Sequence, residues 1–132
     1  MSKAGKLRVP EYLGHILEAI RRIHLYVEDM TEVQFLEDAK TQDAVIRNFE
    51  IIGEACRNID SHHPEFTQEH PEVPWGFAYE MRNALAHGYF KVDLEIVWAT
   101  IHHNLPDLAK QIGALLSQSY EACYHDPLCF SY

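Results

Sequence analysis

Cysteine is scarce in this chain, and the three cysteines are Cys56, Cys123 and Cys129. An odd, sparse set of this kind does not form the disulfide framework of a small secreted protein, and it fits a reducing cytoplasm. Long apolar runs are missing as well: no stretch approaches the length of a membrane span, and the N-terminus lacks the apolar segment of a signal peptide. The sequence therefore predicts a cytoplasmic protein that is neither secreted nor embedded in a membrane.

Positive charge is also scarce, with 11 Lys and Arg against 20 Asp and Glu, and the formal net charge at pH 7 is −9. Proteins that bind nucleic acid non-specifically rely on Lys and Arg to displace counterions from the phosphate backbone. This composition argues against such binding, and we expect no DNA partner. Any contact with RNA must be confined to a small part of the surface.

What the chain does have is the composition of a globular protein, with 132 residues of which 47% are hydrophobic and 23% charged. This length suffices for a core without disulfides or bound metal, and it leaves no room for a second independent domain. We therefore expect residues 1–132 to form a single domain, in which residues 120–132 are a tail of uncertain order.

Helical periodicity is strong in the first half of the chain. Apolar residues recur at intervals of three and four over residues 10–29, and again from about residue 41 to residue 60, which predicts two amphipathic helices. Between them, Thr31 and Gln34 belong to a T-E-V-Q sequence that is typical of a capping box. This sequence predicts a short helix that ends near Asp38.

The second half predicts two more long helices, one from about Trp75 to His87 and the other in the run after Lys91, as far as about Ser117. Pro106 should bend or split the last helix, because proline removes a backbone donor. Residues 61–74 contain three prolines and are expected to form an exposed connector. Four main helices and a short one predict an all-α, antiparallel bundle of four to five helices, with its remaining apolar surface in a homodimer interface.

The segment Y-E-M-R-N-A-L-A-H-G-Y-F at 79–90 concentrates side chains that can do chemistry. On an ideal helix Asn83 and His87 share a face, whereas Arg82 and His87 diverge by about 140°. Gly88 offers a helix end that would turn His87 and Tyr89 towards Arg82. Alternatively, the two copies in a dimer would combine their residues.

These side chains suit metal-independent RNA cleavage, in which a ribose 2′-hydroxyl attacks the adjacent phosphate. Arg82 would stabilise the developing negative charge, and His87 would take or donate the proton, since histidine titrates near neutral pH. Asn83 would orient His87 or the phosphate. The other interpretation is structural: Arg82 and Asn83 bridge neighbouring helices, and His87 interacts with a helix C-terminus. Spacing alone does not decide between the two.

The order of several short motifs resembles that of the HepT family of HEPN-domain proteins, and the resemblance covers about residues 9–116. The motifs are T-Q-D-A-V-I-R-N-F-E-I-I-G-E-A at 41–55, P-E-V-P-W at 71–75, R-N-A-L-A-H-G-Y-F at 82–90 followed by V-D, and V-W-A-T-I at 97–101. The resemblance implies a HEPN fold and a homodimer with an RNA-cleaving cleft at its interface. The family's R-x4-H-x-Y pattern falls on Arg82, His87 and Tyr89.

The same resemblance implies a biological role and a partner. HepT proteins are toxins of type VII-like toxin–antitoxin pairs, and their antitoxin MntA is a minimal nucleotidyltransferase that transfers AMP from ATP to the motif tyrosine. Tyr89 is then the modified residue, the substrate is cellular RNA with tRNA as first candidate, and no cofactor is implied. The alternative function is a non-catalytic subunit that binds the nucleotidyltransferase and presents a substrate to it.

Two weaker patterns could indicate a metal site or an RNA-stacking site, but structural explanations are favoured for both. Cys123, His125 and Cys129 have a C-x-H-x3-C spacing that is not one of the strong zinc patterns, so we expect no metal site. Trp75 and Trp98 are of a type that stacks on RNA bases, but tryptophans at a helix start or in an apolar stripe more often pack in the core.

Overall fold

The computed structural model describes residues 7–76, 80–81 and 93–124, with side chains as far as Gln118. The regular structure in these ranges is helical and comprises α1 (Val9–Val27), α2 (Glu32–Leu36), α3 (Ala39–His62), α4 (Pro64–Glu69), α5 (Leu94–His103) and α6 (Leu105–Tyr124). Residues 75–76 and 80–81 are helical as well. The prediction of an all-α bundle is confirmed. None of the helices in the described ranges has the length and apolar character needed to cross a membrane.

The core forms where α1 packs against α3 and α6. The predicted stripe of α1 is buried, and Leu13, Ile16 and Ile23 are fully inaccessible to solvent. Burial of each such side chain stabilises the fold by about 1.5–3 kcal/mol, so this stripe alone fixes the position of α1. α3 contributes the matching stripe, which consists of Val45, Phe49, Ile52, Ala55, Cys56 and Ile59.

The short helix α2 begins with the predicted capping box. The backbone N–H of Gln34 donates to the Thr31 hydroxyl at 3.2 Å, and the backbone N–H of Thr31 donates to the Gln34 side-chain oxygen at 2.9 Å. Phe35 is fully buried and anchors the helix to the core. Two residues after α2 ends, the Asp38 carboxylate accepts the backbone N–H of Thr41 at 3.0 Å and caps α3.

The prediction that residues 61–74 form an exposed connector is correct for the exposure of most of these residues, but it is wrong for the secondary structure and for Thr67 and Val73, which are buried. α3 continues to His62, and α4 occupies residues 64–69. The Thr67 side chain is buried, and its hydroxyl donates to the Asp60 carboxylate at 2.9 Å, with the Pro64 carbonyl oxygen 3.0 Å away. The prolines were misleading because Pro64 occupies the first position of α4, where proline starts a helix instead of interrupting one.

Pro106 splits the last predicted helix, as expected. α5 ends at His103, Asn104 forms a turn, and Pro106 is the second residue of α6, where its missing N–H costs no helical hydrogen bond. The predicted end near Ser117 is wrong, because α6 extends to Tyr124 and includes residues 120–124 of the predicted tail. Residues 125–132 lie outside the described part of the chain.

Candidate active site

The four predicted site residues, Arg82, Asn83, His87 and Tyr89, lie outside the described residues. The described chain reaches their segment on one side at Glu80 and Met81 and resumes on the other side at residue 93. The structure therefore defines the surroundings of the residues on either side of the 82–92 segment.

On the upstream side, Trp75 anchors the start of the helical stretch. Its side chain is 8% exposed, its indole N–H donates to the His70 carbonyl oxygen at 3.0 Å, and its ring meets Phe66 edge-on at a centroid distance of 6.1 Å. Trp75 is therefore a packing residue, as expected. The P-W pair at 74 and 75 therefore holds the chain against α4 and the turn that follows it.

On the downstream side, Asp93 is the N-cap of α5. Its carboxylate accepts the backbone N–H groups of Glu95 and Ile96 at 3.1 and 3.2 Å. α5 then packs against α2 and α6, and the Trp98 ring lies 5.4 Å from the Phe35 ring. The V-D and V-W-A-T-I motifs thus have structural roles at the far end of the 82–92 segment.

Asn48 is a buried polar residue that was not predicted from the sequence. Asn48 is 4% exposed, and its amide N–H donates to the Ala44 carbonyl oxygen at 2.9 Å within α3. Its amide oxygen is buried and has no hydrogen-bond donor among the described residues. Such an acceptor destabilises a fold by about 1–3 kcal/mol. The signal was available, because Asn48 lies between Val45 and Ile52 within an otherwise apolar stripe.

Arginine side chains elsewhere on the described surface are engaged with glutamates. Glu18 is 2.7 Å from Arg21 and 3.0 Å from Arg22, and its hydrogen bond to Arg21 is the main reason that its pKa falls to about 2. Arg8, Arg47 and Arg57 each lie within 4.0 Å of a glutamate on their own helix or at its start. Arg21 and Arg22 share the single carboxylate of Glu18, whereas Arg8, Arg47 and Arg57 each have a glutamate of their own.

Cys56 is the one cysteine whose surroundings the described residues define. Burial in the core raises the pKa of its thiol to about 12. Because the thiolate is the nucleophilic form, this residue does not act as a nucleophile near neutral pH. Among the described side chains, no group of three or more His, Cys, Asp or Glu is arranged to hold a metal ion.

Met81 lines a cavity of about 440 Å³, which we call the Met81 cavity. Its apolar walls come from Phe49 and Ile52 of α3, Leu105 and Leu108 of α6, and Pro74 and Met81; its polar rim is Glu72, Asn104, Asp107 and Gln111. The side-chain amide of Gln111 donates to the Glu72 carbonyl oxygen at 2.9 Å and ties α6 to the segment before Pro74. The sequence alone did not predict this cavity, because its walls come from segments far apart in the chain.

A second cavity, of about 640 Å³, has a more polar lining. Its walls include Arg57 and Asp60 of α3, Gln68 of α4, and Gly76 and Glu80 of the helical stretch. Glu80 and Met81, the two residues that precede Arg82 in the sequence, therefore line different cavities.

Comparison with known proteins places this chain in a family. Residues 16–115 match the family described as Ribonuclease HepT-like. A probable ribonuclease HepT of Thermococcus cleftensis is 44% identical over 98 residues, which are 74% of this chain and 86% of that protein. A candidate RNase of Methanocaldococcus jannaschii is 38% identical over 111 residues, which are 84% of this chain and 89% of that protein.

A longer Methanocaldococcus jannaschii protein, named as a gamma-glutamylcyclotransferase and candidate RNase, is 40% identical over 107 residues, which are 81% of this chain and 47% of that protein. No solved structure matches the chain. Because the match spans residues 16–115 and the relatives align over most of this chain, the chain belongs to the HepT-like ribonuclease family.

Proposed function

We propose that this protein is a metal-independent endoribonuclease, with Arg82 and His87 as its catalytic residues and Asn83 in a supporting role. The observation that carries the proposal is the sequence R-N-A-L-A-H-G-Y at 82–89, which falls inside the region matched to the HepT-like ribonuclease family. Arg82 is the arginine of that motif, and a guanidinium can stabilise the negative charge that develops on the phosphate.

The proposed reaction is an internal transfer within the RNA. The ribose 2′-hydroxyl attacks the adjacent phosphorus, the bond to the 5′-oxygen of the next nucleotide breaks, and the products are a 2′,3′-cyclic phosphate and a 5′-hydroxyl. His87 accepts the proton of the attacking hydroxyl, and the second His87 of a homodimer protonates the leaving oxygen. Arg82 stabilises the charge that develops on the phosphate oxygens.

The substrate is cellular RNA, with tRNA as the first candidate. A net charge of −9 does not support binding along an extended phosphate backbone. Recognition is therefore local, at a cleft between two copies of the chain. We expect a shallow salt dependence of binding, because few phosphates are neutralised at such a site.

The biological role that we propose is that of the toxin in a type VII-like toxin–antitoxin pair. The antitoxin is a small MntA-type nucleotidyltransferase, and the Tyr89 hydroxyl attacks the α-phosphorus of ATP so that AMP is transferred and pyrophosphate leaves. The added phosphodiester brings negative charge and a bulky nucleoside close in sequence to Arg82. RNA is then excluded by repulsion and by shape.

The test is an RNA digestion with purified, unmodified protein in a chelating buffer. Total tRNA and total cellular RNA are incubated with the unaltered protein, with His87→Ala and Arg82→Ala, and with His103→Ala as the matched control, because His103 is exposed at the end of α5. Light scattering shows whether each variant keeps the assembly state of the unaltered protein.

Cleavage by the unaltered protein and the His103 variant, with at least a 100-fold loss in the other two, supports the proposal. Undiminished cleavage by His87→Ala contradicts the assigned chemistry. If the unaltered protein cleaves no RNA but is modified at Tyr89, the chain is instead a subunit that is presented to the nucleotidyltransferase.

A further inference from the structure

We propose that the Met81 cavity is a nucleobase-binding site that selects the RNA base beside the cleaved phosphate. This inference rests on the proposed ribonuclease function, and it adds a determinant of substrate specificity to it. In this proposal Asp107 and Asn104 recognise the polar edge of one base.

The interior of the cavity suits the flat faces of a base. Phe49, Ile52 and Leu108 line it, and these side chains are 4%, 2% and 5% exposed, so they form a packed apolar floor. Half-buried Met81 and exposed Pro74 also contribute to the wall. The thioether of Met81 makes favourable contacts with an aromatic face, and the apolar surface of Pro74 adds contact that does not depend on the identity of the base.

The rim suits the polar edge of a base and disfavours a phosphate. Asp107 and Asn104 are exposed at the start of α6 and at the turn before it. A carboxylate accepts hydrogen bonds from exocyclic amino groups, and an amide both donates and accepts. Glu72 and Asp107 repel a phosphate at the same place. The rim therefore favours adenine, cytosine and guanine, which carry an amino group, over uracil, which has none.

The cavity is held in shape by bonds between its walls. The Gln111 amide reaches across to the Glu72 carbonyl oxygen at 2.9 Å, and Leu105 packs at the α5–α6 break with 2% of its surface exposed. A site with fixed walls binds a small ligand without a large loss of conformational entropy.

The position of the cavity along the chain links it to the proposed chemistry. Met81 lines the cavity and is joined to Arg82 by one peptide bond, so their Cα atoms are about 3.8 Å apart. A base in the cavity would therefore contact the residue that directly precedes the proposed phosphate-binding arginine. The acidic rim keeps the phosphate outside the cavity.

The first experiment measures binding without cleavage. Fluorescein-labelled 2′-O-methyl pentanucleotides of A, C or U lack the attacking hydroxyl, and their affinity for the intact protein is read from fluorescence anisotropy. The variants are Asp107→Asn, which removes the acceptor charge, and Asn104→Trp, which fills the cavity mouth from an exposed position. Glu95→Gln is the control, because it removes one charge from the first turn of α5 and lies outside the cavity lining.

We expect the unaltered protein and Glu95→Gln to bind the A and C oligomers at least tenfold more tightly than the U oligomer. Asp107→Asn should lower that ratio at least fivefold, and Asn104→Trp should weaken binding of all three. Equal affinity for A, C and U in the unaltered protein, or an unchanged ratio in Asp107→Asn, overturns the proposal. Light scattering checks that Asn104→Trp keeps the assembly state of the unaltered protein, and unchanged binding of all three oligomers by an assembled Asn104→Trp also overturns the proposal.

The second experiment separates this proposal from the ribonuclease proposal. A random-sequence RNA library is digested, and the bases beside each cut are counted for the unaltered protein and Asp107→Asn. Cleavage without any base preference overturns the base site and leaves the ribonuclease intact. Discrimination among the non-cleavable oligomers without cleavage of any RNA supports the base site and removes the ribonuclease function.

Discussion

The indole N–H of Trp75 donates to the backbone carbonyl oxygen of His70 at 3.0 Å. The bond spans the turn after α4 and fixes the first residue of the helical stretch that precedes Arg82. The same carbonyl oxygen also accepts the backbone N–H of Val73 at 3.3 Å, and the Trp75 side chain itself is 8% exposed. Trp75 can therefore contribute to the free energy of unfolding in two ways, through the packing of its ring and through the hydrogen bond of its indole N–H.

We expect Trp75→Phe to lower the free energy of unfolding by about 0.5–1.5 kcal/mol, because an aromatic ring remains and the His70 carbonyl loses one of its two donors. Urea denaturation followed by circular dichroism measures this loss. Trp98→Phe is the control, since Trp98 is half-buried and its ring packs on Phe35. Equal losses in the two variants would show that the hydrogen bond of Trp75 contributes nothing beyond ring size.

Substitution of Thr67 tests whether the contact between α4 and α3 stabilises the fold. Its hydroxyl donates to the Asp60 carboxylate and joins α4 to α3. Replacement by valine keeps the shape and removes the donor, so Thr67→Val should destabilise the protein by about 1–3 kcal/mol. Thr67→Ser keeps the hydroxyl and should recover most of that loss in the same urea titration. A neutral Thr67→Val would mean that this bond does not hold α4 in place.

The bundle was predictable because its signals are local. The stripe of α1, the capping box at Thr31 and the break before Pro106 each depend on residues within a few positions of one another. The prediction for residues 61–74 failed where the structure depends on contacts that are not local. Prolines mark turns on average, but the burial of Thr67 and Val73 depends on distant partners, which no local pattern shows.

The candidate site residues stay a prediction, and this prediction has a different basis. Arg82, His87 and Tyr89 were singled out by residue type and by a family pattern, which needs no knowledge of contacts. The Met81 cavity was not predictable, because Phe49, Pro74 and Leu108 come together only after α3 and α6 have packed. A cavity of this kind arises from tertiary structure, whereas the proposed catalytic residues lie close together in the sequence.

Asp38 gives a prediction about pH. The hydrogen bond from the Thr41 backbone N–H lowers the pKa of this carboxyl from its usual value. A group with a lowered folded-state pKa contributes stability that is present above its unfolded pKa, near 4, and is lost as pH falls through its folded pKa. Asp38→Asn keeps a side-chain acceptor at the N-cap and removes the titration.

We therefore expect the difference in urea midpoint between the unaltered protein and Asp38→Asn to be largest near pH 7 and to shrink as the pH falls below 4. Asp38→Ala should be less stable than either at pH 7, because it lacks the cap. A difference that stays constant from pH 7 to pH 3 would show that ionisation of Asp38 does not contribute to stability.

Cys56 reports on the integrity of the core. Its thiol is 1% exposed, and burial raises its pKa to about 12, so both access and ionisation oppose its reaction with a thiol reagent. In a Cys123→Ser, Cys129→Ser background, the remaining thiol should react with Ellman's reagent only as fast as the protein unfolds. Rapid reaction at pH 8 without denaturant would mean that the α1–α3 packing opens readily.

Tyr89→Phe separates catalysis from its regulation. Phenylalanine keeps the aromatic ring but lacks the hydroxyl that would accept AMP, so this variant should cleave RNA at a rate within about threefold of the unaltered protein, a difference of less than 1 kcal/mol in activation free energy. Incubation with the cognate nucleotidyltransferase and ATP should inhibit the unaltered protein and leave Tyr89→Phe active. Tyr26→Phe is the control, because Tyr26 is exposed on α1 and should remain without effect on inhibition.

Intact-mass measurement of each sample decides between the possible outcomes. Addition of AMP to the unaltered protein and to Tyr26→Phe, with none on Tyr89→Phe, identifies Tyr89 as the acceptor. AMP on Tyr89→Phe would place the modification on another residue. Loss of cleavage by Tyr89→Phe before any exposure to the nucleotidyltransferase would mean that the hydroxyl takes part in the reaction, since a pure acceptor of AMP has no role until ATP and the transferase are present.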